Sequence, residues 1–284
     1  MIELEELGAW RAFGDATRAS ARNVALVPTM GALHAGHLSL IGAAKSHGDV
    51  VMVTIFVNPR QFNDPSDLAR YPRTLEADRA AAKAAGVDAL VVPTLEEMWP
   101  DYPRGTMTSV NVAGLGDVLE GASRPGHFAG VASVVAKLFN VTGPCRAYFG
   151  QKDFQQVAVV RQMVRDLAMP VEVADCPIVR DPDGLALSSR NVRLSSAARA
   201  RALALSRAIG DVAVAPATAS AHRETLRTRL ASADLDVAYA EVVDPVTLAP
   251  LGDTDHGAGR ALVAATVEGV RLIDNGPVEL IAGE

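Results

Sequence analysis

The chain has 284 residues, of which 49% are hydrophobic and 21% charged, a composition that excludes a disordered or collagen-like protein. At roughly 150 residues per domain, this length predicts about two domains with a sizeable core. Lys and Arg number 27 against 33 Asp and Glu, a formal charge of −6, so there is no basic excess of the kind that marks a nucleic-acid binder.

Residues 1–10 carry Glu3, Glu5 and Glu6 and no basic stretch, which speaks against a signal peptide. Apolar runs at 24–27, 50–57, 89–92, 147–149 and 171–174 predict parallel strands covered on both faces, because most show little polar alternation. Helices are predicted between them. Residues 37–47 place Leu38, Ile41 and Ala44 at helical spacing before Gly48, and 74–85 run from Thr74 as N-cap to Gly86. Residues 127–141 align Val131, Val134, Val135, Leu138 and Phe139, and 153–168 stop before Met169-Pro170. This alternation predicts a doubly wound α/β domain. Beyond about residue 177 the pattern changes to helices at 195–210 and 218–231, then strands at 236–243 and 261–273 in a smaller sheet. No apolar run is long enough to span a bilayer. Cys145 and Cys176 fit neither a disulfide framework nor a zinc motif and read as buried thiols of a reducing compartment. A cytoplasmic protein with no membrane and no nucleic-acid partner is expected.

Four segments carry chemistry. His34-Ala-Gly-His37 follows a strand and opens a helix, where free N–H groups and the positive dipole end favour a phosphate. Imidazoles there can donate to a phosphoryl group as it gains charge; the other readings are a metal pair or surface histidines. Phe149-Gly-Gln-Lys-Asp153 also leaves a strand end, so its loop faces the same crevice. Lys152 offers a mobile charge for phosphates, Asp153 a helix cap, and Gln156 sits one turn on, either toward the loop or toward solvent. Asp181-Pro-Asp-Gly184 is a turn, after which Ser188, Ser189 and Arg190 present donors suited to a triphosphate, with Ser195 or Ser196 capping the next helix. Phe56-Val-Asn-Pro-Arg-Gln-Phe-Asn63 brings Gln61, a donor and acceptor for a small polar substrate, beside Asn58-Pro59, a turn by its chemistry.

With Y-P-R-T-L-E-A-D and R-P-G-H-F-x-G-V, these motifs occur in the order of the pantothenate synthetase (pantoate–β-alanine ligase) family, which the chain resembles along nearly its whole length. That family belongs with the HIGH-motif nucleotidyltransferases. The resemblance implies a Rossmann-like doubly wound sheet over 1–177 that binds ATP and pantoate, and a smaller C-terminal α+β domain over 178–284 that closes over the active site. It implies condensation of pantoate with β-alanine through pantoyl adenylate, with ATP as substrate, Mg2+ as cofactor and a homodimer as the assembly. By motif, Met30, Gly31, Ala32, Leu33, His34, Ala35, Gly36 and His37 form the nucleotide floor. Gly150, Gln151, Lys152 and Asp153 also contact ATP, as do Val179, Leu187, Ser188, Ser189 and Arg190. His37, His34 and Lys152 are the catalytic residues implied, His37 being the proton donor. Gln61 and Gln156 hold pantoate beside Met30 and Tyr71, Gln61 also lies at the β-alanine site, and Asp78 matches a magnesium position. Leu187 stands where many members have methionine, a swap of similar volume. Three other readings stand beside it: another adenylyl or cytidylyl transferase of the superfamily, whose phosphorylated acceptor calls for more Arg or Lys than Gln61 and Gln156 supply, an aminoacyl-tRNA synthetase relative, which the charge of −6 disfavours, and a catalytically silent nucleotide-binding regulator.

Overall fold

Residues alternate between two apolar layers along the central strands, and that alternation organises the first sheet. In chain order the elements are β1 (Ile2–Leu4), α1 (Leu7–Ala19), β2 (Val24–Thr29), α2 (Ala35–Ser46), β3 (Val50–Ile55), α3 (Pro65–Arg70), α4 (Leu75–Ala84), β4 (Ala89–Val91) and α5 (Leu95–Met98). There follow α6 (Glu120–Ser123), α7 (His127–Thr142), β5 (Cys145–Gly150), α8 (Phe154–Asp166), β6 (Val171–Cys176), α9 (Ser196–Val212), α10 (Ala219–Ala231), β7 (Asp236–Val243), β8 (Gly257–Val267) and β9 (Val270–Leu280). Val24, Leu26, Met52 and Ala147 pack with Trp10 of α1 and the apolar stripe of α7. Ala25, Val27, Val51, Val53 and Tyr148 pack on the other face with Ile41 and Ala44 of α2 and Ala82 of α4. Helices thus cover both faces, which is why these strands read as unbroken apolar runs.

The computed structural model describes residues 1–105 and 107–283. Two units form, Met1–Asp117 with Arg124–Gln151 and Gln156–Pro177, and Val118–Ser123 with Lys152–Gln155 and Ile178–Glu284. In the first unit the six parallel strands run in the order β1-β4-β3-β2-β5-β6. The order reverses at β2, which lies between β3 and β5, and ligands in open α/β sheets bind at such a switch point. β2 pairs with β3 along all of Val24–Thr29, but with β5 only at Ala25 and Leu26. The Asn23 and Thr29 carbonyls accept from Val50 at the start of β3 and from Phe56 just past its end, so the nitrogen of Pro28 faces β5, where proline has no N–H to extend the ladder. The two strands part there.

In the second unit β7, β8 and β9 form an antiparallel sheet. Ala261, Val263, Ala265 and Leu272 pack with Leu205 and Ile209 of α9 and Leu226 and Leu230 of α10.

Three expectations are corrected. The predicted strand 261–273 is a hairpin: Glu268 and Gly269 both have positive φ, +48° and +73°, and Val267 pairs with Val270, the two-residue turn that matches strand twist. Leu38 is exposed and Leu40 takes the buried place on α2. The Thr74 hydroxyl caps no backbone N–H of α4 and donates instead to the Asp78 carboxylate. β1 and α1 were not anticipated; β1 is a three-residue edge strand, too short for periodicity to reveal.

Both cysteines are free. Burial pushes the Cys145 thiol up to about 12 and raises that of Cys176, so the thiolate fraction of Cys145 at pH 8 is on the order of a thousandfold below that of an exposed cysteine. Neither thiol is expected to react with iodoacetamide at pH 8 until the protein is denatured, as mass spectrometry of alkylated peptides would report.

Candidate active site

The loop that leaves β2 turns sharply because Gly31 and Ala32 both take positive φ, +80° and +50°. A Cβ at Gly31 would lie 3.0 Å from Asp78 Oδ2 and 3.1 Å from Ile55 Cγ2, so both the positive φ and the tight space favour glycine there. The Gly31 N–H donates to Thr29 Oγ1 at 3.1 Å. The Ala32 and Leu33 N–H groups donate to the two oxygens of Asp78 at 2.9 and 2.7 Å. Asp78 is 2% exposed, and Thr74 Oγ1 reaches both of its oxygens at 3.3 Å. Its carboxylate is therefore an anchor for the loop, and this donor set does not fit the magnesium ligand that the resemblance implies. Among the described residues no group of three or more His, Cys, Asp or Glu side chains is placed to hold a metal.

His34 is the N-cap of α2, and its Nδ1 accepts the Gly36 N–H at 3.2 Å. The His34 N–H in turn donates to His37 Nδ1 at 3.4 Å. The H-x-G-H spacing is thus a reciprocal cap in which histidines take the places usually held by Ser or Thr and Glu. The two rings lie 4.1 Å apart, tilted by 33°. Since both Nδ1 atoms accept, each neutral ring carries its proton on Nε2, and two N–H donors stand together at a helix N-terminus.

Gln61 ends a 3₁₀ turn, Pro59–Gln61, capped by Asn58. Asn58, 1% exposed, receives Trp99 Nε1 on its Oδ1 at 3.0 Å and donates to Gln61 Oε1 and Gly130 O, both at 3.1 Å. The Gln61 oxygen is engaged inside the protein, and its Nε2 points to Met30 Sδ at 3.1 Å. The Gln61 carbonyl accepts from His127 Nδ1 at 2.8 Å and Arg124 Nη2 at 3.3 Å. The turn expected at Asn58-Pro59 is present, but its role in holding the Gln61 amide was not read from the sequence, nor were His127 and Arg124 singled out, although the R-P-G-H-F motif contains both. Tyr71 is buried and meets Phe62 edge-on at 5.6 Å.

At the end of β5, Gly150 leaves open space around its Cα. Gln151 Nε2 donates to Asp175 at 2.5 Å. Burial raises the pKa of Asp175, but the bonds from Gln151 and Arg161 outweigh it and hold the carboxyl below the usual range. Gln156 is half-buried and makes no side-chain hydrogen bond among the described residues, whereas its neighbour Gln155 is buried.

The second unit holds the other predicted residues. Lys152 Nζ lies 3.4 Å from Asp153. The Leu187 N–H donates to the Val179 carbonyl at 3.0 Å and Gly184 N–H to Asp181 O at 2.8 Å, closing the predicted turn. Ser188 Oγ accepts the Arg190 N–H at 3.2 Å, and Asn191 holds the Ala186 carbonyl at 3.0 Å. Leu187, Ser188, Ser189 and Arg190 are all half-buried. Ser195 caps α9 through the Ala198 N–H at 3.1 Å, so the capping expectation holds for that serine.

With this geometry in place, the comparisons with known proteins agree with one another. The family model for pantoate-beta-alanine ligase matches residues 3–277. The pantothenate synthetase of Cereibacter sphaeroides is 52% identical over 269 residues, 92% of this chain and 94% of that protein. That of Moorella thermoacetica is 48% identical over 284 residues, 98% of each. The crystal structure of pantothenate synthetase from Thermus thermophilus superposes with a TM-score of 0.86 at 44% identity, covering 97% of this chain and 99% of that one. The pantoate-beta-alanine ligase of Francisella tularensis, in complex with beta-gamma ATP and beta-alanine, gives 0.82 at 35% identity over 97% of each chain.

Asp78→Ala strips the acceptor from two loop N–H groups. Bonds to a charged group contribute about 1.5–3 kcal/mol, so melting should fall by about 5–10 °C with neither nucleotide nor magnesium present. An unchanged melting curve in metal-free buffer would show that the carboxylate does not hold the loop.

Proposed function

The chain belongs to the pantoate–β-alanine ligase family, and on that premise we propose that its reaction, the ATP-dependent condensation of pantoate with β-alanine, runs through pantoyl adenylate. The pantoate carboxylate attacks the α-phosphorus of ATP, the bond to the bridging oxygen breaks, and pyrophosphate leaves. The amine of β-alanine then attacks the acyl carbon, loses a proton, and expels AMP. Adenylation is needed because a free carboxylate offers an amine no leaving group.

The observation that carries this reading is the reciprocal cap that sets the His34 and His37 rings side by side at the N-terminus of α2. Charge gathers on the α-phosphate as it is attacked, and donors already oriented lose nothing to reorganisation. His37 is the proposed proton donor, His34 its companion, and Lys152 the mobile cation for the phosphates. Met30 to His37 form the nucleotide floor, with Gly150 and Asp153 as further contacts. Gln151, whose amide is taken up by Asp175, contributes through its backbone. Val179, Leu187, Ser188, Ser189 and Arg190 are assigned to ATP. Gln61 and Gln156, with Met30 and Tyr71, are assigned to pantoate, and Gln61 also to β-alanine. Magnesium, which the resemblance brings with ATP, is given no protein ligand in this reading, and no step runs through it. No helix among the described residues is long and apolar enough to cross a membrane; a cytoplasmic homodimer is proposed from the family resemblance.

Pantoate alone should support exchange of labelled pyrophosphate into ATP, with no need for β-alanine. His37→Ala should cut that exchange on the order of 10²–10³-fold while circular dichroism stays native. Exchange that appears only with β-alanine would contradict a free adenylate step.

Gln156→Ala should raise the KM for pantoate by up to roughly tenfold and leave the KM for ATP nearly unchanged, as expected for one lost hydrogen bond to a neutral partner. Steady-state kinetics with each substrate varied in turn separates this from a general structural defect, which would move both.

A further inference from the structure

Lys152–Gln155 is fastened at one end to the antiparallel sheet of its own unit and at the other to the segment Val118–Ser123. Leu262 pairs with Asn275, Thr266 with Arg271 and Arg260 with Pro277, so Arg260, Arg271 and Asn275 share one face of that sheet. It is the face opposite the residues that pack on α9 and α10. Asn275 is 2% exposed, and its Nδ2 donates to the Lys152 carbonyl at 2.9 Å across 123 residues of sequence. Its Oδ1 accepts from Arg260 Nε at 2.9 Å and from Arg260 Nη2. A guanidinium has donors only, so the amide can point in one sense alone, oxygen to Arg260 and nitrogen to Lys152. Arg260 also lies 4.3 Å above the Phe154 ring. At the far end Gln155 donates to the Val118 carbonyl at 2.8 Å and accepts the Glu120 N–H at 3.1 Å. Arg271 of β9 binds the Glu120 carboxylate.

We propose that Asn275 is a positioning residue for adenylation, its amide fixing the Lys152 carbonyl and thereby the base of the side chain that acts on the ATP phosphates. The inference rests on the role given above to Lys152. That ammonium rides on a flexible four-carbon stem, so the backbone at its root sets where it can reach, and small misplacements of such groups are costly in rate.

Asn275→Asp isolates the contact. It keeps an acceptor for Arg260 and adds an ion pair, but sets a carboxylate oxygen against the Lys152 carbonyl. Single-turnover formation of pantoyl adenylate should slow by roughly tenfold, while amide formation from supplied adenylate stays within about twofold of wild type. In a Lys152→Ala background the same substitution should cost nothing more, because the residue it acts through is gone. Asn275→Ala, which adds no charge, is run beside it and should show the same pattern. Wild-type adenylation by Lys152→Ala alone would overturn the role of Lys152. If Lys152→Ala is slow, the positioning role falls under either of two results: an Asn275→Asp penalty equal in both backgrounds, or equal losses in both half-reactions.

Discussion

Asp78 lies beneath the loop between β2 and α2, 2% exposed, with the N–H groups of Ala32 and Leu33 on its oxygens. A carboxylate taken out of water is strongly destabilising unless hydrogen bonds replace its hydration. Here the replacement comes from the loop, and the dependence runs both ways. Gly31 and Ala32 adopt positive φ, which turns successive N–H groups inward, and the buried charge holds that conformation. The chain then enters α2 at His34, whose ring caps the helix and meets His37. Remove the carboxylate and the geometry of the histidine pair loses its support.

Neutral amides do the same work elsewhere. Asn58 accepts the Trp99 indole N–H and so must donate to Gln61 and Gly130. Asn275 accepts from Arg260 and so must donate to Lys152. In each case a strong donor claims the amide oxygen, and the amide nitrogen donates to a residue assigned to substrate. Close packing makes the first network possible: a Cβ at Gly130 would sit 2.2 Å from the Arg60 carbonyl oxygen, so α7 can approach the Pro59–Gln61 turn only with glycine there.

Charge pairs differ in what they contribute. Arg199 with Asp181 and Asp183, and Arg229 with Asp211, lie on the surface of the second unit, where such pairs add little to stability one by one. Arg199 does hold the Asp183 carboxyl below its usual range and ties the Asp181–Gly184 turn to α9. Arg180 with Asp274 is another matter. The Asp274 side chain is 2% exposed and accepts from Arg180 twice and from the Asn275 N–H. It joins the strand that carries Asn275 to the segment that carries Ser188 and Arg190.

Much of the fold was legible in the sequence because strand and helix periods are short-range properties. The apolar runs that became β2 to β6, the stripe of α7 and the stops at Gly48 and Gly86 are all readable within a dozen residues. Where the reading failed, a local signal was weak or misread: the Glu268-Gly269 turn inside an apolar stretch, the three residues of β1, and Leu38 for Leu40 on α2. Motif order also determined the family, and strand–loop–helix context placed His34, His37 and Lys152 at strand ends. Only the tertiary structure decided what those residues lean on. Asp78 is 46 residues from Ala32, Asn58 is 72 from Gly130, and Asn275 is 123 from Lys152. The partner of a buried polar group is set by which elements the topology brings together, and no spacing along the chain records it.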